Sequence, residues 1–488
     1  MPLPYGNCGI KYLTAWRRRP VNERHEKYQI RRMTHAAFHP DFRAEPYWWL
    51  AAPPEDDRGT PLPARADFVI VGSGFAGLSA ALEAARGGAD VVVLDGGPLG
   101  GGASSRSGGM VSSGQKLVLT EALAGLPAAK QIAALEDSKA TFEFLKELVT
   151  RENLDADLQL CGRFFGAFTP AHLATLRRNA ETLHAKTGVT IRILSREEQH
   201  EEVGSNYFHG GFVVEEYGGL HPAKLNLALR NAARSAGARL FSHARVQGTQ
   251  RDGAGHLVKT ERGDIRATHV LFATNGYTDA ADPWLRKRIV PVRSYQIATE
   301  PLPPGLMDKL IPRRRMVTDS RKELTYARPS PDGTRILLGC RPGAMPGEPE
   351  DMALALRARM LRIWPELAPL RLTHAWGGYV GMTADRIAHV AEHDGVMHAV
   401  GCNGNGVALM TYLGWHAAQL ILGRTNRRAF FADIPFPAVP EPVGRSWFVP
   451  LASAAYHLRD LAANPAEVVA ERLGRPGEPL TGTTSKES

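Results

Sequence analysis

The sequence has few cysteines and no long apolar run. Its four cysteines, Cys8, Cys161, Cys340 and Cys402, are scattered over 488 residues, and no C-x-x-C pair occurs. This argues against a disulfide framework or a cysteine zinc site and fits a reducing, cytoplasmic setting. No stretch reaches the ~18 uninterrupted apolar residues of a spanning helix, so no transmembrane segment is expected. The N-terminus lacks the apolar core of a secretory signal. No G-x-S-x-G nucleophile elbow is present. His389, His393 and His398 lie close in sequence without the helical His-Glu-x-x-His spacing of a zinc site, so no metal is expected. No internal repeat is visible.

Charge is unevenly placed. The formal net charge is +9, and residues 1–32 supply +6 of it through eight Lys/Arg against Glu23 and Glu26. The remainder is near neutral, which argues against a nucleic-acid partner. Residues 1–32 show neither a helical nor a strand period, and Met33 follows directly. The reading favours a translation start at Met33 over an authentic basic arm. Apolar residues make up 43% of the chain, with 49 glycines and 34 prolines, which suits a turn-rich α/β protein of two or three domains.

The most informative stretch is V-I-V-G-S-G-F-A-G-L-S-A-A-L, Val69 to Leu82. Phe68 to Val71 reads as a buried parallel strand. Phe75 to Arg86 reads as a helix stopped at Gly87-Gly88, and Val91 to Leu94 as a second strand. Gly72 permits the tight turn, Gly74 lets backbone approach a pyrophosphate, and Gly77 lets helix pack on strand. Phe75 and Ala76 open the helix, where unpaired N–H groups face the phosphates. Asp95, 18 residues after Gly77, is placed to accept from a ribose diol. These residues predict dinucleotide binding without choosing between FAD and NAD.

Further elements follow from periodicity. Ala51 to Ala64 reads as a linker, with the fold beginning at Asp67. Helices are expected over most of Glu121 to Glu152, Pro170 to Thr187 and Arg196 to Val203. Pro222 starts another helix that ends at Gly237, leading into the strand Arg239 to Ser242. Asp264 to Ala273 is a buried strand. Tyr295 to Thr299, Met316 to Thr318, Leu324 to Arg328 and Arg335 to Leu338 read as an antiparallel sheet. Asp351 to Ile363 is a helix. Val396 to Val400 is a last strand, running into a helix from Val407 to Leu422. The tail after Arg475 is polar and expected to be disordered.

Two later segments refine the ligand. In Gly100 to Gly109, small residues let backbone lie against a flat ligand, while Ser104 and Arg106 offer phosphate or ring-oxygen donors. In Gly401 to Gly406, a helix start brings positive partial charge to its ligand, suited to the charge carried by a reduced flavin.

The ordered set V-G-S-G-F-A-G, L-D-G-G, G-A-S-S-R-S-G-G, G-L-H-P-A-K-L, A-T-N-G-Y and G-C-N-G-N-G-V resembles the FAD-dependent D-amino-acid oxidase superfamily. Within it the likeness is to the glycine-oxidase-like and γ-glutamylputrescine-oxidase-like branch. It spans roughly Tyr47 to Arg459, including Tyr47-Trp48-Trp49 and Trp364-Pro365-Glu366-Leu367. The resemblance implies an α/β fold: a discontinuous Rossmann-like FAD-binding domain with an interleaved antiparallel-sheet (α+β) substrate domain. The expected segments are 66–118, 212–288 and 372–430 for FAD, and 119–211 and 289–371 for substrate. An arm and linker would occupy 1–65, and an extension and tail 431–488. By the same resemblance Gly72, Gly74, Gly77 and Asp95 hold the ADP half. Ala103, Ser104, Arg106 and Gly109 line pyrophosphate and flavin, and Val246 meets adenine through its backbone. Gly404, Asn405, Gly406 and Val407 border the flavin's pyrimidine edge. Many relatives carry His where this chain has Asn405. Some attach flavin through a cysteine near Trp376-Gly377-Gly378; none lies there, so non-covalent FAD is expected.

The resemblance implies oxidation of a small-molecule amine or amino acid, giving an imine that hydrolyses, with oxygen or an electron carrier as acceptor. No dedicated acid or base is required, so no catalytic residue is singled out. Arg293, Tyr326, Arg328 and Arg341 are the expected substrate contacts, since arginine forks suit carboxylates and tyrosine offers an apolar face and a hydroxyl. A flavin dehydrogenase using a quinone or carrier, or a non-catalytic flavoprotein subunit, stays open as an alternative.

Overall fold

A computed structural model describes residues 36–113, 115–340, 347–439 and 449–479. The basic arm, Met33 and Arg341 lie outside the described residues.

Two sheets face each other. The first is built on strands whose side chains are buried on both faces, as in Val91–Leu94, where all four residues are buried; such runs favour a parallel sheet covered on both sides. Its order is Val246–Asp252, Gly255–Thr260, Gly263–Phe272, Arg65–Val71, Val91–Leu94, Arg239–Phe241. The long strand Gly263–Phe272 splits its outer edge. Its first half pairs antiparallel with Gly255–Thr260, and its second half pairs parallel with Val396–Val400. Helices Phe75–Arg86, Pro222–Ser235 and Gly406–Ile421 cover one face through a shared core that includes Leu78, Leu82, Leu229 and Leu413. The His221 ring caps Pro222–Ser235, its Nδ1 accepting from the Lys224 amide at 3.1 Å.

The second sheet has nine strands, in the order Phe38–Arg43, Leu372–Met382, Val290–Thr299, Ile336–Cys340, Tyr326–Pro329, Met316–Asp319, Arg163–Gly166, Gly211–Val214, Ile191–Leu194. All its pairings are antiparallel except Phe38–Arg43 with Leu372–Met382 and Met316–Asp319 with Arg163–Gly166. One face buries Ile297, Val317 and Leu338 against Leu356 and Met360 of the helix Pro349–Ile363. The other face turns Ser294, Gln296, Tyr326 and Arg163 towards the first sheet's loops.

The architecture is the expected mixed α/β one, but strand membership differs from the segments read in sequence. Gly211–Val214 and Leu372–Met382 pair in the nine-stranded sheet, not with the FAD segments 212–288 and 372–430. Both contain glycine pairs or small residues that weaken an apolar strand signal. The helix Ala128–Arg151, assigned to the substrate segment 119–211, buries Phe142, Leu145 and Leu148 in the core of the first sheet's helices. The hairpin of Val246–Asp252 and Gly255–Thr260 has an exposed, polar outer strand, so no apolar period marks it. The segment after Arg475 is not free as far as it is described: the Gly477 amide donates to the Leu361 carbonyl at 2.8 Å, and Arg362 binds the Pro476 carbonyl at 2.6 Å. Residues 480–488 lie outside the described residues.

Two C-terminal helices, Val449–Ala463 and Pro465–Arg472, clasp the loop that joins Met316–Asp319 to Tyr326–Pro329. The Asp460 carboxylate accepts from the Lys322 and Glu323 amides at 2.8 and 2.9 Å. Glu471 takes Arg321 at 2.6 Å and Arg359 at 2.8 Å.

Candidate functional site

Between the second sheet and the loops that follow the first sheet's strands lies a cavity, partly open to solvent. Its walls come from segments far apart in sequence: Phe75, the loop Ala103 to Met110, the late helix start Gly404 to Val407, and the second sheet's Ser294, Gln296, Tyr326, Tyr379 and Arg163.

Behind Phe75 and Ser104, which line the cavity, stands the first glycine turn. Gly72 has φ +108°, and a Cβ on Gly77 would lie 1.9 Å from the Gly72 carbonyl oxygen. Only glycine lets the helix approach so closely. Asp95 Oδ2 accepts from the Ser73 amide at 2.9 Å and its hydroxyl at 2.6 Å, and Oδ1 from the Gly97 amide at 3.0 Å. The carboxylate braces the turn and keeps acceptor capacity for a hydroxyl. Gly74 caps the helix without a side-chain bond. Its neighbour Phe75 donates its amide to the Ser104 hydroxyl at 2.9 Å, which joins the turn to the second loop. Ala76 is buried behind the helix start. Val246 begins its strand two residues after Ala244, whose amide donates to the Asp95 carbonyl at 2.7 Å, so Val246 belongs to the side of this turn.

The middle is a loop held from both sides. Arg106 donates Nε to Gly101 at 2.7 Å and Nη1 to Gly377 at 3.1 Å, and its guanidinium lies 4.4 Å over the Trp49 ring. Burial pushes its pKa down. Its carbonyl accepts from Gln296 Nε2 at 2.6 Å and Trp376 Nε1 at 2.8 Å. Trp49 itself donates Nε1 to Ser105 at 3.0 Å, which gives the aromatic lead-in a structural role. Gly109 has φ +66°, and a Cβ there would meet the Leu220 carbonyl at 2.2 Å.

At the far end, Gly401 and Gly404 have φ of +86° and +81°. The helix Gly406–Ile421 starts at Asn405 with no side-chain cap. Its open N–H groups and positive partial charge border the cavity. The Asn405 Oδ1 is turned aside, accepting from the Ser112 hydroxyl at 2.8 Å.

The expected substrate contacts divide. Tyr326 lines the cavity, its hydroxyl 3.4 Å from Ser294 Oγ; Gly339 leaves room for its ring, since a Cβ there would sit 2.4 Å from that hydroxyl. Arg293 does not line the cavity. Side chains alternate along a strand, and because Ser294 and Gln296 face the cavity, Arg293 faces away and stacks 5.2 Å over Tyr295. Arg328 shares the Tyr326 face but is sealed behind the loop. Its Nη1 donates to Leu220 at 2.7 Å and to Gly108 at 3.1 Å, and its Nε to Pro329 at 3.0 Å. Burial lowers its pKa to about 10. It clamps Gly108-Gly109 and is not available to a ligand. Arg341 lies outside the described residues. Sequence reasoning missed Ser294, Gln296, Tyr379 and Arg163. Only Arg163 carried a signal, as a charged residue inside R-F-F-G, a strand buried at all four positions.

The three histidines have other engagements. His398 pairs with Asp282 at 2.7 Å, His389 with Asp385 at 3.0 Å, and His393 stacks 4.7 Å from Trp284. Among the described residues no cluster of three metal-ligating side chains occurs, and no helix is long and apolar enough to cross a membrane.

A glycine-built turn, a carboxylate beside it, and an uncapped helix start bordering a cavity fit an FAD. A family model described as FAD dependent oxidoreductase matches residues 67–420. The probable oxidoreductase OrdL of Rhizobium meliloti (strain 1021) is 32% identical over 424 residues, covering 85% of this chain and 97% of that protein. The γ-glutamylputrescine oxidoreductase of Escherichia coli (strain K12) is 30% identical over 403 residues, covering 81% and 92%. Among solved structures, glycine oxidase from Geobacillus kaustophilus aligns with a TM-score of 0.63 at 24% identity, covering 78% of this chain and all of that one.

Proposed function

The chain belongs to the DAO family of FAD-dependent oxidoreductases, and from that premise we propose that it oxidises the C–N bond of a small amine or amino acid to an imine, which water then hydrolyses. One observation carries the reading: the cavity is walled on one side by dinucleotide-type loops and on the other by a polar row, Ser294, Gln296 and Tyr326, from the second sheet. FAD, when bound, supplies the two-electron acceptor for the substrate's C–H. Gly72, Gly74, Gly77 and Asp95 would hold its ADP half, with Val246 beside the adenine. Ala103, Ser104, Arg106 and Gly109 would hold its middle, and Gly404 to Val407 its far edge. The open helix start there favours negative charge without reorganising during the reaction.

The residues facing it orient the substrate. Tyr326 presents its ring against Gly108, where a Cβ would come within 2.9 Å, and directs its hydroxyl towards Ser294. Gln296 braces the Arg106 carbonyl and so fixes the distance between loop and sheet. Such positioning is a large part of catalysis when no acid or base is needed. We also propose that the FAD is held non-covalently and that the protein acts in the cytoplasm. Acid precipitation that left the yellow colour on the protein would contradict the first.

The deciding experiment is anaerobic mixing with a panel of amines, amino acids and N-substituted amino acids. The expected result is bleaching of the flavin by at least one class. If no member of the panel bleaches it, the reading fails. Oxygen uptake against dye reduction then separates oxidase from dehydrogenase.

A further inference from the structure

Six arginines are buried among the described residues: Arg163, Arg230, Arg315, Arg321, Arg328 and Arg359. A buried cation needs a counter-charge or a full set of acceptors. Arg230 has Glu55 at 3.2 Å, Arg315 has Glu202, and Arg321 and Arg359 share Glu471 at 2.6 and 2.8 Å. Arg328 has backbone carbonyls of Gly108, Leu220 and Pro329. Arg328's Nη2 is left without a partner, but Arg163 alone has neither an acid nor a backbone carbonyl. Its Nε and Nη2 share one neutral acceptor, the Thr318 hydroxyl, at 2.9 and 2.7 Å. Its guanidinium lies 4.9 Å over the Phe165 ring, and Nη1 has no hydrogen-bond partner among the described residues. Burial lowers its pKa only to about 10, so it stays charged near neutrality. Arg163 lines the cavity, on the same wall as Tyr326 and Ser294.

We propose that Arg163 anchors a carboxylate of the substrate, so that the enzyme acts on amino acids and related amino acid-like anions in preference to plain amines. The inference rests on the reaction proposed above. The planar fork suits a carboxylate, and the Thr318 hydroxyl together with the Phe165 ring fixes its plane before the ligand arrives. An anion entering the cavity completes a pair whose desolvation the fold has already met.

The test uses the FAD-loaded protein and acetate, at constant ionic strength with chloride as control. Acetate is expected to perturb the flavin absorbance saturably. Arg163→Met should weaken its binding on the order of a hundredfold, and Arg163→Lys should recover part of that loss. Thr318→Val, which keeps the charge but loosens its plane, should weaken binding several-fold. FAD content and the unliganded spectrum should match the parent in all three. Equal acetate binding by parent and Arg163→Met overturns the proposal. So does loss of FAD or a changed resting spectrum, which would assign Arg163 to the cofactor. Should acetate bind as expected while no amine or amino acid bleaches the parent's flavin, the anchor stands and the proposed reaction falls.

Discussion

The two walls of the cavity are built by different rules. The nucleotide wall is made of backbone: Gly109 and Gly404 lie on it with positive φ, Gly72 and Gly77 form the turn behind Phe75, and helix starts lie along it. The sheet wall is made of side chains on three strands, with Ser294, Gln296, Tyr326 and Arg163 projecting from one face. At Gly77 and Gly109 there is no room for an added atom, since a Cβ would meet a backbone oxygen at 1.9 and 2.2 Å. On the function proposed above, cofactor binding and choice of substrate fall to separate physical devices.

That division can be broken or sharpened in four places. The largest effect is expected from Gly77→Val, whose Cβ would enter the Gly72 carbonyl at 1.9 Å. Backbone cannot yield there as a side chain does, so a loss of ~3 kcal/mol or more and of the bound flavin is expected. Thermal melting with flavin content measures both. A variant that retained its flavin and its melting temperature would show that the helix start is free to shift.

Next comes Arg328→Met. It strips the donor from the carbonyls of Gly108, Leu220 and Pro329, at a cost of about 2–4 kcal/mol for buried acceptors left unmet. The loss should appear in denaturant midpoint, with KM affected less than stability. The opposite split would return Arg328 to the substrate.

The third effect concerns pH. His221 is held neutral, burial lowering its pKa to about 4, and its Nδ1 is an acceptor at the helix cap. The unfolded chain takes up a proton near the ordinary histidine value, ~6.5, and the folded one does not until about pH 4. Its contribution is therefore fully present above ~6.5 and lost as pH falls towards 4. His221→Asn, which can still cap, should flatten the stability profile in that window. An unchanged slope would mean that His221 does not cause it.

The smallest effect is expected at Arg293. Arg293→Ala should leave KM within about twofold, whereas Ser294→Ala, one position along, should raise it. The pair tests strand facing, because a register slipped by one residue would reverse the result.

These cases also mark how far sequence carries. Phe75–Arg86, Val91–Leu94, Pro170–Thr187 and Val396–Val400 were legible to the residue. Each is bounded by local signals: glycine, proline, or a short run of β-branched residues. The glycine turn was legible for the same reason, since Gly72, Gly77 and Asp95 meet through contacts within a short stretch of chain. The sheet wall was not. Arg293 lies on the right strand and the wrong face, and both faces of Val290–Thr299 carry polar residues, so alternation alone gives no answer. Arg163 stands out only once every other buried arginine is seen to have a partner, and partners such as Glu471 for Arg321 lie 150 residues away.

The C-terminal clasp has a consequence for the order of manufacture. The loop between Asp319 and Thr325 carries Leu324 into the cavity wall. Its amides at Lys322 and Glu323 are held by Asp460, and its arginine by Glu471. Those carboxylates leave the ribosome more than a hundred residues after the loop they secure. During synthesis the Asp319–Thr325 loop must therefore wait for the C-terminal helices, and this part of the cavity wall can be fastened only once nearly the whole chain is made.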